Sequence, residues 1–214
     1  MLGTGHGKAL KCYNYCFLLK FNNTNLLVDS GGGNQIINQL KKANIKIEDI
    51  DNVFISHSHM DHILGLIWMI RFLCPKYYNG LIDKQNFELS NLKITVFDSR
   101  AKNINEFGFV AKYANKRIIY LGDERYSKIN KKYINNCDYA FMDARDINND
   151  ITSAHSTVKY SATIAQKYHI KNLILSHCND FDLKNRKTMF KNEASKYYNG
   201  NIFVPYDLEE ISIE

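Results

Sequence analysis

The sequence is poor in several things. It has two Pro and one Trp in 214 residues, and its 11 Gly follow no repeat. Collagen-like, coiled-coil and disordered architectures are excluded, because 45% hydrophobic and 23% charged residues match globular averages. No run approaches about 18 uninterrupted apolar residues, so no membrane partner is expected. The start, Met1-Leu2-Gly3-Thr4-Gly5, has no basic-then-apolar segment, which predicts a chain without a secretory leader and a cytoplasmic location. Five Cys is an odd count, and only Cys12 and Cys16 are close. That predicts buried thiols in a reducing compartment. A Cys-based zinc site needs two close pairs. Lys and Arg number 28 against 22 Asp and Glu, a net charge of +6. This suits an anionic substrate such as a phosphodiester, although the Lys residues are spread as solvated faces are.

The pattern predicts layered sheets flanked by helices, in a single domain over 1–214. Tyr15 to Leu19 and Leu26 to Val28 read as paired strands around a turn at Phe21 to Asn25. Gly31-Gly32-Gly33 breaks the chain before a helix from Asn34 to Ala43. Val53 to Ile55 is a short strand. Asp61 to Phe72 reads as an apolar helix, with Ile63, Leu64, Ile67, Trp68 and Phe72 on facing turns and Pro75 just beyond its end. Further strands are expected at Ile94 to Phe97, Phe107 to Val110, Arg117 to Leu121, Tyr139 to Met142, Leu173 to Leu175 and Ile202 to Val204. Helices are expected at Thr157 to Tyr168, capped by Ser156, and at Arg186 to Tyr198.

The chemistry is concentrated in His57-Ser58-His59-Met60-Asp61-His62, between a strand and a helix. With seven His in the chain, three His and one Asp at these places arise by accident in roughly one chain in two thousand. His57 and His59, two apart on extended backbone, point to one side and can share a metal ion. Asp61 and His62 follow the turn and can face a second one. Imidazole with carboxylate suits zinc, with manganese or iron as alternatives. Other apolar runs also end in ligand-type residues: Ile118 to Leu121 runs into Gly122-Asp123, and Leu173 to Leu175 into Ser176-His177. In a layered sheet such endings can meet at one edge. Asp123, with two oxygens, can bridge two metals.

Together with Asp29-Ser30-Gly31, Gly122-Asp123 and Ser176-His177, the six-residue motif resembles the metallo-β-lactamase superfamily. Leu2-Gly3-Thr4-Gly5 and Ala154-His155-Ser156-Thr157 look like its ribonuclease Z-like branch. The resemblance implies an α/β (α+β) fold, a four-layer αββα sandwich with a dinuclear metal site. His57 and His59 would bind the first metal and Asp61 and His62 the second. Asp123 would bridge them and His177 would complete the second site. It implies a homodimeric, metal-dependent phosphodiesterase that works by metal-activated hydroxide attack. Asp61 would orient the nucleophile. His155 would stabilise the phosphorane or protonate the leaving oxygen, held by Asp143 where the family has Glu. Asp29 is expected to support a ligand His or its loop.

The sequence departs from the family in two places that bear on the substrate. No His lies between His62 and Asp123, and Arg100 falls where another ligand of the first metal is expected. Arg cannot ligate a metal, but its fixed charge can hold a phosphate oxygen. Asp98 is the alternative ligand there, and one zinc ion or two remains open. The chain is also too short for the arm with which ribonuclease Z grips tRNA. The substrate expected is therefore a phosphodiester-containing small molecule or short nucleic acid. The rival readings are a thioester, lactone or β-lactam hydrolase, which the His155-Ser156-Thr157 stretch argues against, and a non-catalytic binding protein that kept the fold.

Overall fold

The structure, a computed structural model, describes residues 1–77, 85–99, 106–123, 125–147 and 155–213. Contacts group the chain into two compact units, residues 1–84 with 206–214 and residues 85–205. Each has its own sheet, and five α-helices are seen among the described residues.

The first unit opens on an antiparallel hairpin, β1 (Phe17–Phe21) and β2 (Thr24–Val28), paired from Phe17 with Val28 to Phe21 with Thr24. Asn22 takes φ 48° at the turn, a left-handed conformation Asn tolerates better than most residues. Helix α1 (Gln35–Lys42) then carries the chain to β3 (Asn52–Phe54), which lies parallel to β2. Ile36 and Leu40, one turn apart, bury against Leu2, Cys16, Leu27, Ile50 and Met69. Each fully buried aliphatic side chain of this kind contributes about 1.5–3 kcal/mol. The returning 206–213 segment is tied in by Asp207. Its carboxylate accepts from Thr4 N (2.9 Å), Thr4 Oγ1 (2.7 Å) and Tyr13 N (2.6 Å).

Helix α2 (Met60–Tyr77) includes Pro75 instead of stopping before it. Having no N–H, Pro75 gives up the bond to the carbonyl four residues back, which this close to the helix end leaves most of the helix ladder intact. Its buried stripe is His62, Gly65 and Met69, whereas Ile67 and Trp68 are 63% and 39% exposed. The apolar pattern of the segment pointed to a different face. What selects the stripe is Gly65, whose missing side chain lets the helix lie against the backbone carbonyl of Ser30.

The second unit is a seven-stranded sheet in the order β10-β9-β8-β7-β6-β5-β4. Strands β4 (Asn86–Leu89), β5 (Leu92–Asp98), β6 (Phe107–Tyr113) and β7 (Lys116–Tyr120) form an antiparallel meander. After the short α3 (Lys131–Ile134), β8 (Tyr139–Asp143), β9 (Asn172–Ser176) and β10 (Asn201–Phe203) continue parallel to β7. The crossovers are α4 (Val158–Lys167) and α5 (Leu183–Ala194). Alternate residues Ala140, Met142, Leu173 and Leu175 pack with Val158, Ala162 and Ala165 of α4 and with Phe190 and Ala194 of α5. Thr157, not Ser156, caps α4, its hydroxyl accepting from Tyr160 N at 3.2 Å. Ser156 is engaged elsewhere: its N–H donates to Asp143.

Strand β4 and helix α3 gave no sequence signal, being four residues each. Because β7, β8 and β9 run parallel, their carboxyl ends share one edge of this sheet. The segments that leave that edge carry Asp123, Asp143 and His177.

Candidate metal centre

In the first unit the six-residue motif links β3 to α2, and Asp29 lies beneath it. Asp29 follows β2, takes φ 55° and is fully buried. A buried carboxylate needs donors, and it has three from this segment. Ser56 N donates to Oδ1 at 2.8 Å, and Ser56 Oγ to Oδ2 at 2.9 Å. His62 Nδ1–H donates to Oδ2, also at 2.9 Å. The Ser56 hydroxyl, its proton given to Asp29, accepts from His57 Nδ1–H at 2.9 Å. Both imidazoles thereby have the tautomer that leaves the Nε2 lone pair available. His62 Nε2 lies 3.4 Å from Asp61 Oδ2, and His57 Nε2 lies 2.7 Å from His59 Nδ1. Two ring nitrogens facing one another at that distance are satisfied by a shared proton or a shared cation. His57 and His62 are buried and His59 is exposed. Sequence reasoning placed Asp29 under the motif but missed the relay through Ser56.

In the second unit the residues come from separate stretches. Gly122 has φ +82°, and a Cβ there would meet Glu106 Oε1 at 1.9 Å. That same oxygen accepts from Asp123 N at 2.7 Å, so Glu106, itself buried, holds the turn after β7. Nothing in the sequence had singled out Glu106. At the end of β8, Asp143 Oδ1 lies 3.3 Å from His177 Nδ1, and Oδ2 lies 3.4 Å from His155 Nδ1. Oδ2 also accepts from Ser156 N at 2.5 Å. His177 sits in the left-handed region, φ 56°, immediately after β9, and turns Nε2 to within 3.3 Å of Asp123 Oδ2. His155 Nδ1 is 2.8 Å from the carbonyl oxygen of Asp123.

Burial pulls the His155 pKa down. The hydrogen bond and charge of Asp143 outweigh that, and the net position is above the ordinary imidazole value. Asp143 thus faces both His155, as the sequence suggested, and His177, which it did not. One ligand-capable atom from each of Asp123, His155 and His177 lies within 4.8 Å of the others. Asp123 and His177 offer a mixed oxygen and nitrogen donor pair, with the His177 Nδ1 directed to Asp143, that fits a divalent cation such as zinc, and His155 stands beside them. Asp98 is the last residue of β5. Arg100 lies outside the described residues.

Comparison with known proteins shows what the chain is similar to. A family model described as anti-Pycsar protein Apyc1 matches residues 1–78. The anti-Pycsar protein Apyc1 of Bacillus phage BSP38 is 43% identical over 67 residues, 31% of this chain and 25% of that protein. Ribonuclease Z of Picrophilus torridus is 28% identical over 185 residues, 86% of this chain and 52% of that enzyme. The chain therefore spans about half the length of these relatives or less. Among solved structures, the metallo-β-lactamase fold protein YhfI of Bacillus subtilis superposes with a TM-score of 0.80 at 17% identity, covering 96% of this chain and 94% of that one. The chain has the metallo-β-lactamase fold. Its sequence is similar to ribonuclease Z over most of its length.

Proposed function

We propose that residues 1–214 work as a single metallo-β-lactamase-fold domain, a metal-dependent phosphodiesterase acting on a small nucleotide or a short nucleic acid. The observation that carries this reading is the pair of buried carboxylates, Asp29 and Asp143. Each lies against Nδ1 of a histidine and leaves its Nε2 facing a further carboxylate. The proposed ligands are His57, His59, Asp61, His62, Asp123 and His177, with zinc as the metal and manganese or iron as alternatives. When bound, the cations supply positive charge to the phosphate and activate water near neutral pH.

The chain's own residues have the remaining roles. Asp61 orients the attacking water and takes its proton. His155, its proton affinity raised by Asp143, protonates the leaving oxygen or steadies the charge on the phosphorane. Arg100 is proposed to hold a phosphate oxygen. The protein is proposed to be cytoplasmic; no helix among the described residues is long and apolar enough to cross a membrane. A homodimer is proposed on the exposed Ile67, Trp68 and Ile70 of α2, and sedimentation tests it.

The deciding experiment counts metal per chain after loading with zinc or manganese and removing the excess, then assays bis(p-nitrophenyl) phosphate beside a thioester and a β-lactam. Near two ions with phosphodiester turnover supports the reading. Near one means that Arg100 stands in for a cation and the remaining ligands work alone. Near zero removes the hydrolase and leaves the binding protein. Turnover of the thioester or β-lactam alone moves the chain to that class.

A further inference from the structure

The segment that leaves β7 carries Asp123 and then, two residues on, Arg125. It is pinned to the His155–Tyr160 stretch at three points. His155 Nδ1 lies 2.8 Å from the Asp123 carbonyl oxygen. Tyr160 OH donates to the Tyr126 carbonyl at 3.2 Å. Between these, the Arg125 guanidinium lies over the Tyr160 ring, 4.7 Å from its centroid. An Arg stacked this way has lost most of its freedom, so its fork is held in one orientation before anything binds.

Stacking satisfies a face of the guanidinium, not its N–H groups. Arg125 Nε is buried and has no hydrogen-bond partner among the described residues. No described carboxylate forms an ion pair with it either. Buried donors without an acceptor are rare in folded proteins, and a charged one is costly to leave so. Planar N–H donors on a fixed positive group match the oxygens of a phosphate, two at a time.

We propose that Arg125 is a further substrate-binding residue, donating to the oxygens of a phosphate group of the substrate. This rests on the phosphodiesterase reading, in which metal offsets the charge of the neighbouring Asp123. It places a fixed cation on the segment that also supplies a metal ligand and the carbonyl facing His155. Arg125 contributes affinity for the anion and leaves the proton transfers to Asp61 and His155.

The test compares the zinc-loaded full chain with Arg125→Gln, using bis(p-nitrophenyl) phosphate as substrate and inorganic phosphate as inhibitor. The variant is expected to raise KM and the phosphate inhibition constant about tenfold. Turnover should stay within about threefold and zinc content unchanged. A fall in melting temperature with KM and phosphate inhibition unaltered makes Arg125 a structural clamp and overturns the proposal. If the unmodified chain hydrolyses no phosphodiester, the functional reading falls by itself. Calorimetric binding of inorganic phosphate then judges Arg125, with equal affinity in the two proteins overturning its role. Should Arg125→Gln not fold, Arg125→Lys carries the test. It keeps the charge but lacks Nε and the fork, so phosphate binding should still weaken, and unchanged binding overturns the proposal.

Discussion

In the first unit, His62 gives Nδ1–H to Asp29 at 2.9 Å and turns Nε2 to Asp61 at 3.4 Å. In the second, His177 has Nδ1 3.3 Å from Asp143 and turns Nε2 to Asp123, also at 3.3 Å. The device is the same: a buried carboxylate fixes the tautomer and aims the ring. The assembly differs. In the first unit Asp61 and His62 are neighbours in one short stretch, and a single carboxylate, helped by Ser56, serves His57 as well. In the second each participant ends or follows a different strand or precedes a helix, and a further buried acid, Glu106, holds the Asp123 turn. The contiguous set rests on one buried acid, whereas the dispersed set rests on two, Asp143 facing His155 and His177 and Glu106 holding Asp123.

The largest effect expected from breaking this arrangement is in the first unit. Gly65→Ala would put a Cβ 2.0 Å from the Ser30 carbonyl oxygen. Backbone on both sides must shift, at a cost of about 3 kcal/mol, read as a lowered denaturation midpoint with weakened metal binding. Next, Asp29→Asn and Asp143→Asn should each reduce zinc affinity by about 10–100-fold, measured by competition with a chelating dye. If the two units use the same device, the losses are similar. A loss confined to one of them would break the comparison.

Gly122→Ala tests the Glu106 anchor. A side chain at φ +82° that also displaces Glu106 should cost about 1–2 kcal/mol and disturb Asp123, lowering turnover more than stability. If turnover is unchanged, Glu106 does not shape the turn.

The smallest effect belongs to a carboxylate of the second unit that holds scaffold, not ligands. Asp138 accepts from Arg117 N at 2.8 Å and Lys171 Nζ at 2.7 Å. Burial pushes its pKa up, but the Lys171 hydrogen bond and the Arg117 N–H outweigh it, and the net position is below the ordinary value. A carboxyl shifted downward on folding stabilises the protein above its unfolded pKa, about 3.9. That contribution is lost as pH falls through the lower folded value. Asp138→Asn should therefore cost about 1 kcal/mol near neutral pH, or roughly 2–4 °C in Tm, with turnover unchanged. The difference from the unmodified protein should vanish in acid. A difference that persists there would mean that shape, not charge, sets the role of Asp138.

The sequence by itself determined the elements with strong local signals and the candidate ligands that stand together. Short apolar runs located most strands, and the motif from His57 to His62 stood out because neighbours in sequence must be neighbours in space. The strand-end logic reached Asp123 and His177, since a parallel sheet delivers its carboxyl ends to one edge. Only the tertiary structure decided the pairings between distant residues. Asp143 meets His177 across 34 positions and Glu106 meets Asp123 across 17, and which His takes Asp29, expected beside a ligand His or its loop, was settled as His62, 33 positions on. It also decided that α2 buries its Gly65 face instead of Ile67 and Trp68, that Thr157 caps α4 while Ser156 serves Asp143, and that Arg125 lies on Tyr160. None of these leaves a local trace, because a buried acid or a stacked Arg satisfies its partner only after the chain has closed the loop between them.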